Sequence, residues 1–173
     1  MLRPYRNVFP RVDTSAFVDA SAQVIGDVVL GPESSVWMNV VIRGDVNSVR
    51  VGSRTNIQDL TLVHGMRDTH PTSVGDEVTV GHSAVIHGCV IEDRCLIGMG
   101  AILLNGSHIG TGSIVAAGTL VPEGCIVPPG SMVMGLPGKV RRQLTPEEDA
   151  TILVYAENYV RYGLDFRTEQ PSV

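Results

Sequence analysis

The chain has 173 residues, 5% aromatic side chains and a formal net charge of −5. This length suits one domain with a continuous core, and so few aromatic rings indicate a thin core of branched aliphatic side chains rather than a helical bundle. The acidic balance and the lack of a basic stripe argue against a nucleic-acid surface. The sequence contains no run of about 18 apolar residues, so no membrane span is predicted.

The N-terminal segment and the cysteines indicate the cellular compartment. The segment MLRPYRNVFP contains two prolines and no apolar run, so we expect no secretory signal peptide there. Cys89, Cys95 and Cys125 lack the paired spacing of a disulfide framework and are expected to be small buried residues. These features predict a cytoplasmic protein.

A six-residue repeat organises most of the chain. Aliphatic residues recur six positions apart, without a break, at Ile97, Leu103, Ile109, Val115, Val121, Val127 and Val133. A small residue follows each of the first six by four positions, and glycines crowd the remaining positions. This pattern describes one flat side of a triangular coil, and three sides make a coil of about eighteen residues. Less regular repeats extend upstream to Val18 and predict an all-β chain folded as a parallel β-helix of about seven coils. A β-sandwich would need period-two alternation, which is missing.

Two predicted segments depart from the repeat. Residues 1–140 are expected to form the β-helix domain, and the polar segment 65–73 within it is expected to be a loop that leaves the coil. Residues 141–173 are expected to form a C-terminal helix and tail packed on the β-helix. That helix should begin with Thr145 as its N-cap and end near Tyr162, with a contact face that comprises Leu153, Ala156, Tyr159 and Val160.

Three histidines are placed for a metal site. His64 and His87 each follow an inward aliphatic residue, so we expect them to stack on one side of successive coils, about 5 Å apart. His82 lies on the preceding side. The three can meet on one ion most easily if His82 of one subunit joins His64 and His87 of another, as in a threefold-symmetric homotrimer. Three imidazoles leave the fourth position of zinc open, as in catalytic sites.

The segment from Trp37 to His64, together with VGHSAVIHG at 80–88, resembles the gamma-class carbonic anhydrase family. The resemblance covers nearly the whole chain and implies a left-handed β-helix of hexapeptide repeats. It implies reversible hydration of carbon dioxide to bicarbonate by a metal hydroxide held by His64, His82 and His87 at the trimer interfaces. Zinc is the expected metal, and cobalt or iron would also suit imidazole ligands.

The same resemblance implies roles for residues around the metal. Arg43 and Asp45, in an RGD segment, match an ion pair at the subunit interface that supports the trimer and the site. Gln58 and Asp59, in an NIQD segment, match residues beside the metal, and Asn56 matches a nearby polar position.

The resemblance is less direct at three places. Tyr159 matches a tyrosine that the C-terminal helix brings near the active site, and packing of the helix on the coil would explain it equally well. Val46 stands where a relative carries a glutamate. That relative has another glutamate in the loop after the first histidine, whereas the loop at 65–73 contains Asp68 and His70 but no glutamate. Because those glutamates serve proton transfer, His70 is a hypothetical substitute with an ordinary pKa near 6.5. Otherwise His70, and likewise His108 at a coil corner, are expected to be surface residues.

Other functions stay open at this point. Many hexapeptide-repeat proteins are acyl-coenzyme A acyltransferases, which use one histidine as a general base and need no metal. Hydrolysis of a thioester would also suit a metal hydroxide. A weakly active or structural relative that keeps the fold is a third alternative. The three placed histidines and the NIQD segment favour carbon dioxide hydration.

Overall fold

The computed structural model describes residues 1–169, in which short parallel strands wind into a β-helix and one long helix follows. Each coil has three faces, named here in chain order. Face 1 is formed by β3 (Phe17–Val18), β5 (Ser35–Val36), β7 (Asn56–Ile57), β10 (Thr79–Val80), β13 (Leu96–Ile97), β16 (Ile114–Val115) and β19 (Ser131–Gly135).

Face 2 and face 3 belong to one continuous sheet because two long strands turn the corner between them. These are β4 (Gln23–Leu30) and β6 (Val41–Val51), whose register shifts at that corner. Face 2 continues through β8 (Leu62–His64), β11 (Val85–His87), β14 (Ile102–Leu103) and β17 (Leu120–Val121). Face 3 continues through β9 (Thr72–Val74), β12 (Val90–Ile91), β15 (His108–Ile109) and β18 (Ile126–Val127). The short strands β1 (Leu2–Arg3) and β2 (Arg11–Val12) pair with β4.

The core is a stack of aliphatic side chains along the axis. On face 1 the inward residue of successive coils is Val18, Val36, Ile57, Val80, Ile97, Val115 and Val133. Their coil-to-coil register confirms the parallel β-helix of about seven coils that the repeat predicts. The main buried cluster contains only aliphatic residues and cysteines, as the shortage of aromatic residues indicated. Cys89 and Cys95 are buried, and Cys125 is half-buried.

The loop and the C-terminal segment differ in detail from the prediction. Strand β9 already begins at Thr72, so the ejected loop is shorter than 65–73. Strand β20 (Gly138–Gln143) pairs antiparallel with β19 in a hairpin that was not predicted, and it extends across the expected boundary between residues 140 and 141.

Helix α1 (Pro146–Glu169) is longer than predicted and presents a slightly different face. Thr145 and Glu148 exchange the hydrogen bonds of a capping box, which confirms the predicted helix start. The predicted end near Tyr162 is wrong. The buried residues are Ile152, Ala156 and Gly163, whereas the predicted Leu153 and Val160 are only half-buried.

Helix α1 runs back along face 1 toward the first coils, where it contacts β3, β5, β7 and β10. Trp37 lies at the centre of this contact, with its ring 5.2 Å from Tyr159 and 5.1 Å from Phe166 between centroids. Arg167 donates to the backbone carbonyls of Thr14 and Ser15. Within the part of the chain that the structure describes, no helix has the length and apolar character that a membrane crossing needs.

Candidate metal centre

The corner between faces 2 and 3 stacks polar side chains on successive coils. Arg43, His64 and His87 are partners in register on β6, β8 and β11. The Nδ1 atom of His64 lies 3.2 Å from Nε2 of His87. The predicted stacking of the two histidines is therefore confirmed, because one residue in each coil directly follows the inward aliphatic residue.

Asp45 holds the first histidine from below. Its Oδ1 atom lies 2.9 Å from Nε2 of His64, and its Oδ2 atom accepts from the Arg43 guanidinium. Burial alone would raise the pKa of Asp45, but the hydrogen bonds from His64 and Arg43 outweigh it and lower that pKa below its usual value. Asp45 is therefore a carboxylate at neutral pH. Arg43 and Asp45 pair within one chain here, and their role between subunits stays a prediction.

Asn105 holds the second histidine from above, and sequence reasoning missed it. Its Oδ1 atom lies 2.7 Å from Nδ1 of His87. Asn105 follows His87 by 18 residues, whereas β11 and β14 are offset by 17 because the side from Ile86 to Ile91 has five residues, so a count along the repeat misses this pair by one position.

The donor atoms at this corner fit a cation. The Asp45 carboxylate can only accept, so Nε2 of His64 carries the hydrogen and Nδ1 has the lone pair. Asn105 Oδ1 likewise accepts from Nδ1 of His87, which leaves the lone pair on Nε2. Two such lone pairs 3.2 Å apart repel each other unless a proton or a metal cation lies between them. Two nitrogen ligands of a tetrahedral zinc ion, each about 2.0–2.1 Å from the metal, are themselves about 3.3 Å apart.

His82 lies at the other end of face 2, at the corner with face 1. Its Nδ1 atom is 2.7 Å from Oδ2 of Asp59, which occupies the same corner one coil below. His82 lies in the turn before face 2, whereas His87 ends β11 at the opposite corner of that face, so the two side chains are not brought together within one chain. In residues 1–169, no three His, Cys, Asp or Glu side chains of a single chain are grouped to hold a metal.

The remaining predicted residues gather beside His82. Asn56 accepts from Nε2 of Gln58 at 3.0 Å and donates to Oγ1 of Thr79 at 2.8 Å. Gln58 and Tyr159 line a cavity of about 270 Å³ between face 1 and helix α1, and His82 stands at its edge. Burial, and then the nearby Asp59 charge, raise the pKa of Tyr159. Tyr159 thus serves helix packing and also faces this cavity.

The predicted residues therefore form two groups at opposite ends of face 2. One group, at the corner with face 3, comprises Arg43, Asp45, His64 and His87. The other, at the corner with face 1, comprises Asn56, Gln58, Asp59, His82 and Tyr159.

The last two histidines lie outside both groups. His70 is half-buried rather than fully on the surface, with Nδ1 2.9 Å from Oγ1 of Thr69. It lines an open cavity of about 540 Å³ together with Asn105 and Glu123. His108 lies on β15 of face 3 rather than at the predicted corner and is also half-buried, with Nε2 2.7 Å from Oε1 of Glu92.

Known proteins share this arrangement of repeats over most of the chain. Residues 88–123 match the family model described as bacterial transferase hexapeptide (six repeats). The carbonic anhydrase of Geobacillus kaustophilus is 41% identical over 170 residues, which cover 98% of this chain and 93% of that protein. A hexapeptide transferase family protein from Anaplasma phagocytophilum has a solved structure with a TM-score of 0.93 and 40% identity, covering 96% of this chain and 98% of that chain.

A plant relative is longer than this chain. The protein named gamma carbonic anhydrase 1, mitochondrial, of Arabidopsis thaliana is 51% identical over 91% of this chain, and the chain spans 60% of that relative's length. Identity of this extent, on a β-helix that stacks two histidines at one corner, identifies the lineage. The chain belongs to the gamma carbonic anhydrase family of hexapeptide-repeat proteins.

Proposed function

We propose that the chain catalyses the reversible hydration of carbon dioxide to bicarbonate at a metal centre shared between subunits of a homotrimer. The observation that carries this proposal is the pair of imidazole nitrogens 3.2 Å apart at the corner of His64 and His87, each ring held on its other nitrogen by a hydrogen-bond acceptor. Relatives named carbonic anhydrase support the reaction.

The proposed ligands are His64 and His87 of one subunit and His82 of a neighbour. Nδ1 of His82 lies 2.7 Å from the Asp59 carboxylate, which favours the tautomer with its hydrogen on Nδ1 and the lone pair on Nε2 for the ion. Zinc is the proposed metal, with cobalt and iron as the alternatives that imidazole ligands accept. A metal ion held by three imidazoles supplies a hydroxide nucleophile near neutral pH.

The outer surface of face 2 supports the homotrimer. Between its two histidine corners runs a row of apolar side chains in register from coil to coil: Val41, Leu62, Val85, Ile102 and Leu120. Leu62 and Ile102 are 37% and 36% exposed. A neighbour that covers this row would bury it and bring a His82 corner toward the His64 and His87 corner. Metal binding and assembly would then depend on the same surface.

The chain's other residues have proposed roles in binding and in holding the ligands. Asp45, backed by Arg43, orients the His64 ring. Gln58, whose side chain Asn56 holds, is placed beside His82 to hydrogen-bond a bicarbonate oxygen. The largely apolar cavity beside His82 suits the non-polar substrate. His70 is the proposed proton acceptor, and we propose a cytoplasmic location.

A second candidate function is acyl chemistry on a coenzyme A thioester. The cavity of about 270 Å³ beside His82, lined in part by Leu96, Met99 and Ala117, is larger than carbon dioxide needs. Turnover of acetyl-coenzyme A by the pure protein, with and without bound metal, separates this candidate from hydration.

The test is stopped-flow carbon dioxide hydration by metal-loaded protein. We expect the wild type to exceed the uncatalysed rate, His82→Ala to fall to background, and His108→Ala to retain the wild-type rate because His108 lies on face 3. If the wild-type protein did not exceed the uncatalysed rate, the proposed reaction would be refuted. Intact trimers with bound metal would then indicate a structural relative.

A further inference from the structure

A column of polar side chains continues the corner between faces 2 and 3 beyond the two histidines. His87 is hydrogen-bonded to Asn105, and Nδ2 of Asn105 donates to Oε1 of Glu123 at 3.0 Å. Each partner lies 18 residues further along the chain. Each of the three is followed by a glycine with a positive φ, namely Gly88 (59°), Gly106 (68°) and Gly124 (65°). The repeat therefore delivers one polar side chain per coil to the same corner.

The far end of this column determines the orientation of its middle. The Glu123 carboxylate only accepts hydrogen bonds, so the amide nitrogen of Asn105 must point toward it. The amide oxygen of Asn105 then points toward His87 and accepts from Nδ1. As a result, the Nε2 lone pair of His87 faces the His64 ring.

Close packing against Gly88 limits the Asn105 side chain. A Cβ atom on Gly88 would lie 2.4 Å from Oδ1 of Asn105, so the amide oxygen occupies space that only a glycine leaves open. Asn105 is half-buried, whereas Glu123 is exposed at the end of the column. The outermost residue of the column, Glu123, is therefore open to solvent, while Asn105 is packed between it and His87.

We propose that Asn105 and Glu123 are positioning residues of the metal centre, which set the tautomer of His87 so that Nε2 is free to bind the ion. This inference rests on the metal ligation proposed for His87 and is independent of the reaction. Glu123 acts across two coils, through the amide of Asn105, and neither residue needs to touch the metal or the substrate. Loss of such outer partners typically weakens metal affinity about 10- to 100-fold.

The test is zinc affinity, measured by competition with a chromophoric chelator. Asn105→Leu removes the acceptor and should weaken zinc binding about 10- to 100-fold. Glu123→Gln lets the amide adopt both orientations; if they are equally populated, half of the molecules are competent and affinity falls about twofold. In the double variant N105D/E123Q, the carboxylate at position 105 presents an acceptor to His87 in either orientation. Its other oxygen accepts from the amide at position 123. The zinc affinity of the double variant should return to within about twofold of the wild type.

A matched control separates positioning from general damage. Glu92→Gln alters a similar carboxylate–histidine contact, to His108 on face 3, and should leave zinc affinity unchanged. Wild-type affinity in Asn105→Leu, or failure of the double variant to recover, would overturn the inference. Should Asn105→Leu not fold, ¹⁵N spectra of the histidine rings in zinc-loaded wild type still decide, because ligation of His87 through Nδ1 refutes it. Zinc binding that depends on Asn105 in a protein without hydration activity would refute only the proposed function.

Discussion

Replacing Ile102 by lysine tests whether face 2 is the assembly surface. Ile102 lies in the middle of the apolar row between the two histidine corners and directly precedes the inward Leu103. The matched control is Ile126→Lys. Ile126 is also an isoleucine directly before an inward residue, Val127, but it lies on face 3 and is 67% exposed.

The expected effect is large because it combines lost burial with an introduced charge. Ile102 is already two-thirds buried, and full burial of such a side chain contributes about 1.5–3 kcal/mol, so assembly would add about 0.5–1 kcal/mol per subunit. A buried ammonium adds a penalty of several kcal/mol. A total near 3 kcal/mol corresponds to association about 100-fold weaker per subunit, since each 1.4 kcal/mol is a factor of ten.

Sedimentation velocity and zinc content after dialysis provide the measurement. We expect wild type and Ile126→Lys to sediment as trimers with one zinc per subunit. Ile102→Lys should dissociate and lose its zinc in the same concentration range, because the proposed ligands come from two subunits. A trimer of Ile102→Lys with full zinc content would refute the assignment of face 2, and dissociation of Ile126→Lys instead would point to face 3.

Three further predictions follow from local geometry. Gly88→Ala should lower the free energy of unfolding by about 1–2 kcal/mol of backbone strain and weaken zinc binding, whereas Gly124→Ala, with open space around its Cβ position, should show only the strain. Thr145→Ala removes the helix N-cap and should cost about 1 kcal/mol in urea unfolding. Burial raises the pKa of the Cys89 thiol to about 12, so thiol reagents at pH 8 should modify the half-buried Cys125 and spare Cys89. Because folding raises the pKa of Cys89, the neutral thiol contributes fully to stability below pH 9.0, the pKa in the unfolded chain. That contribution is lost as the pH rises from 9.0 toward about 12.

Each of these has a clear contrary result. Equal zinc affinities in the two alanine variants would mean that the contact between Gly88 and the next coil does not matter to the metal centre. An unchanged urea midpoint for Thr145→Ala would show that the helix start contributes nothing. Rapid modification of Cys89 in the folded protein, or flat stability from pH 8 to 10.5, would contradict the burial of that thiol.

The sequence predicts the coil well because the constraint repeats. Each inward residue from Ile97 to Val133 faces the same narrow core, so any one position is supported by its neighbours six residues away. The hairpin at β19 and β20 has no such redundancy. Its turn, GLPGK at 135–139, has no six-residue period from which a returning strand could be predicted. Gly163 suggests an end to the helix, yet it allows close packing, since an added Cβ would lie 3.4 Å from that of Phe17.

The candidate site was predicted unevenly for a similar reason. His64 and His87 could be placed because each directly follows an inward residue. Asn105 could not, since an asparagine at a coil corner is common in itself and its contact with His87 depends on a five-residue side that shifts the count by one. The grouping of Gln58 with Tyr159 required the path of helix α1, which the repeat does not contain.

Helix α1 also changes how the β-helix can assemble. Each coil is completed by chain only about eighteen residues away, so coils can form one after another as the chain emerges during synthesis. The ring of Trp37 must wait for Tyr159 and Phe166 of helix α1, and the contact from Arg167 to Ser15 spans 152 residues. The earliest part of the solenoid to be made is therefore the last to be covered. Loss of the helix should expose Phe17 and Trp37 and promote association between chains. The stability of the first coils therefore depends on the C-terminal segment that covers them.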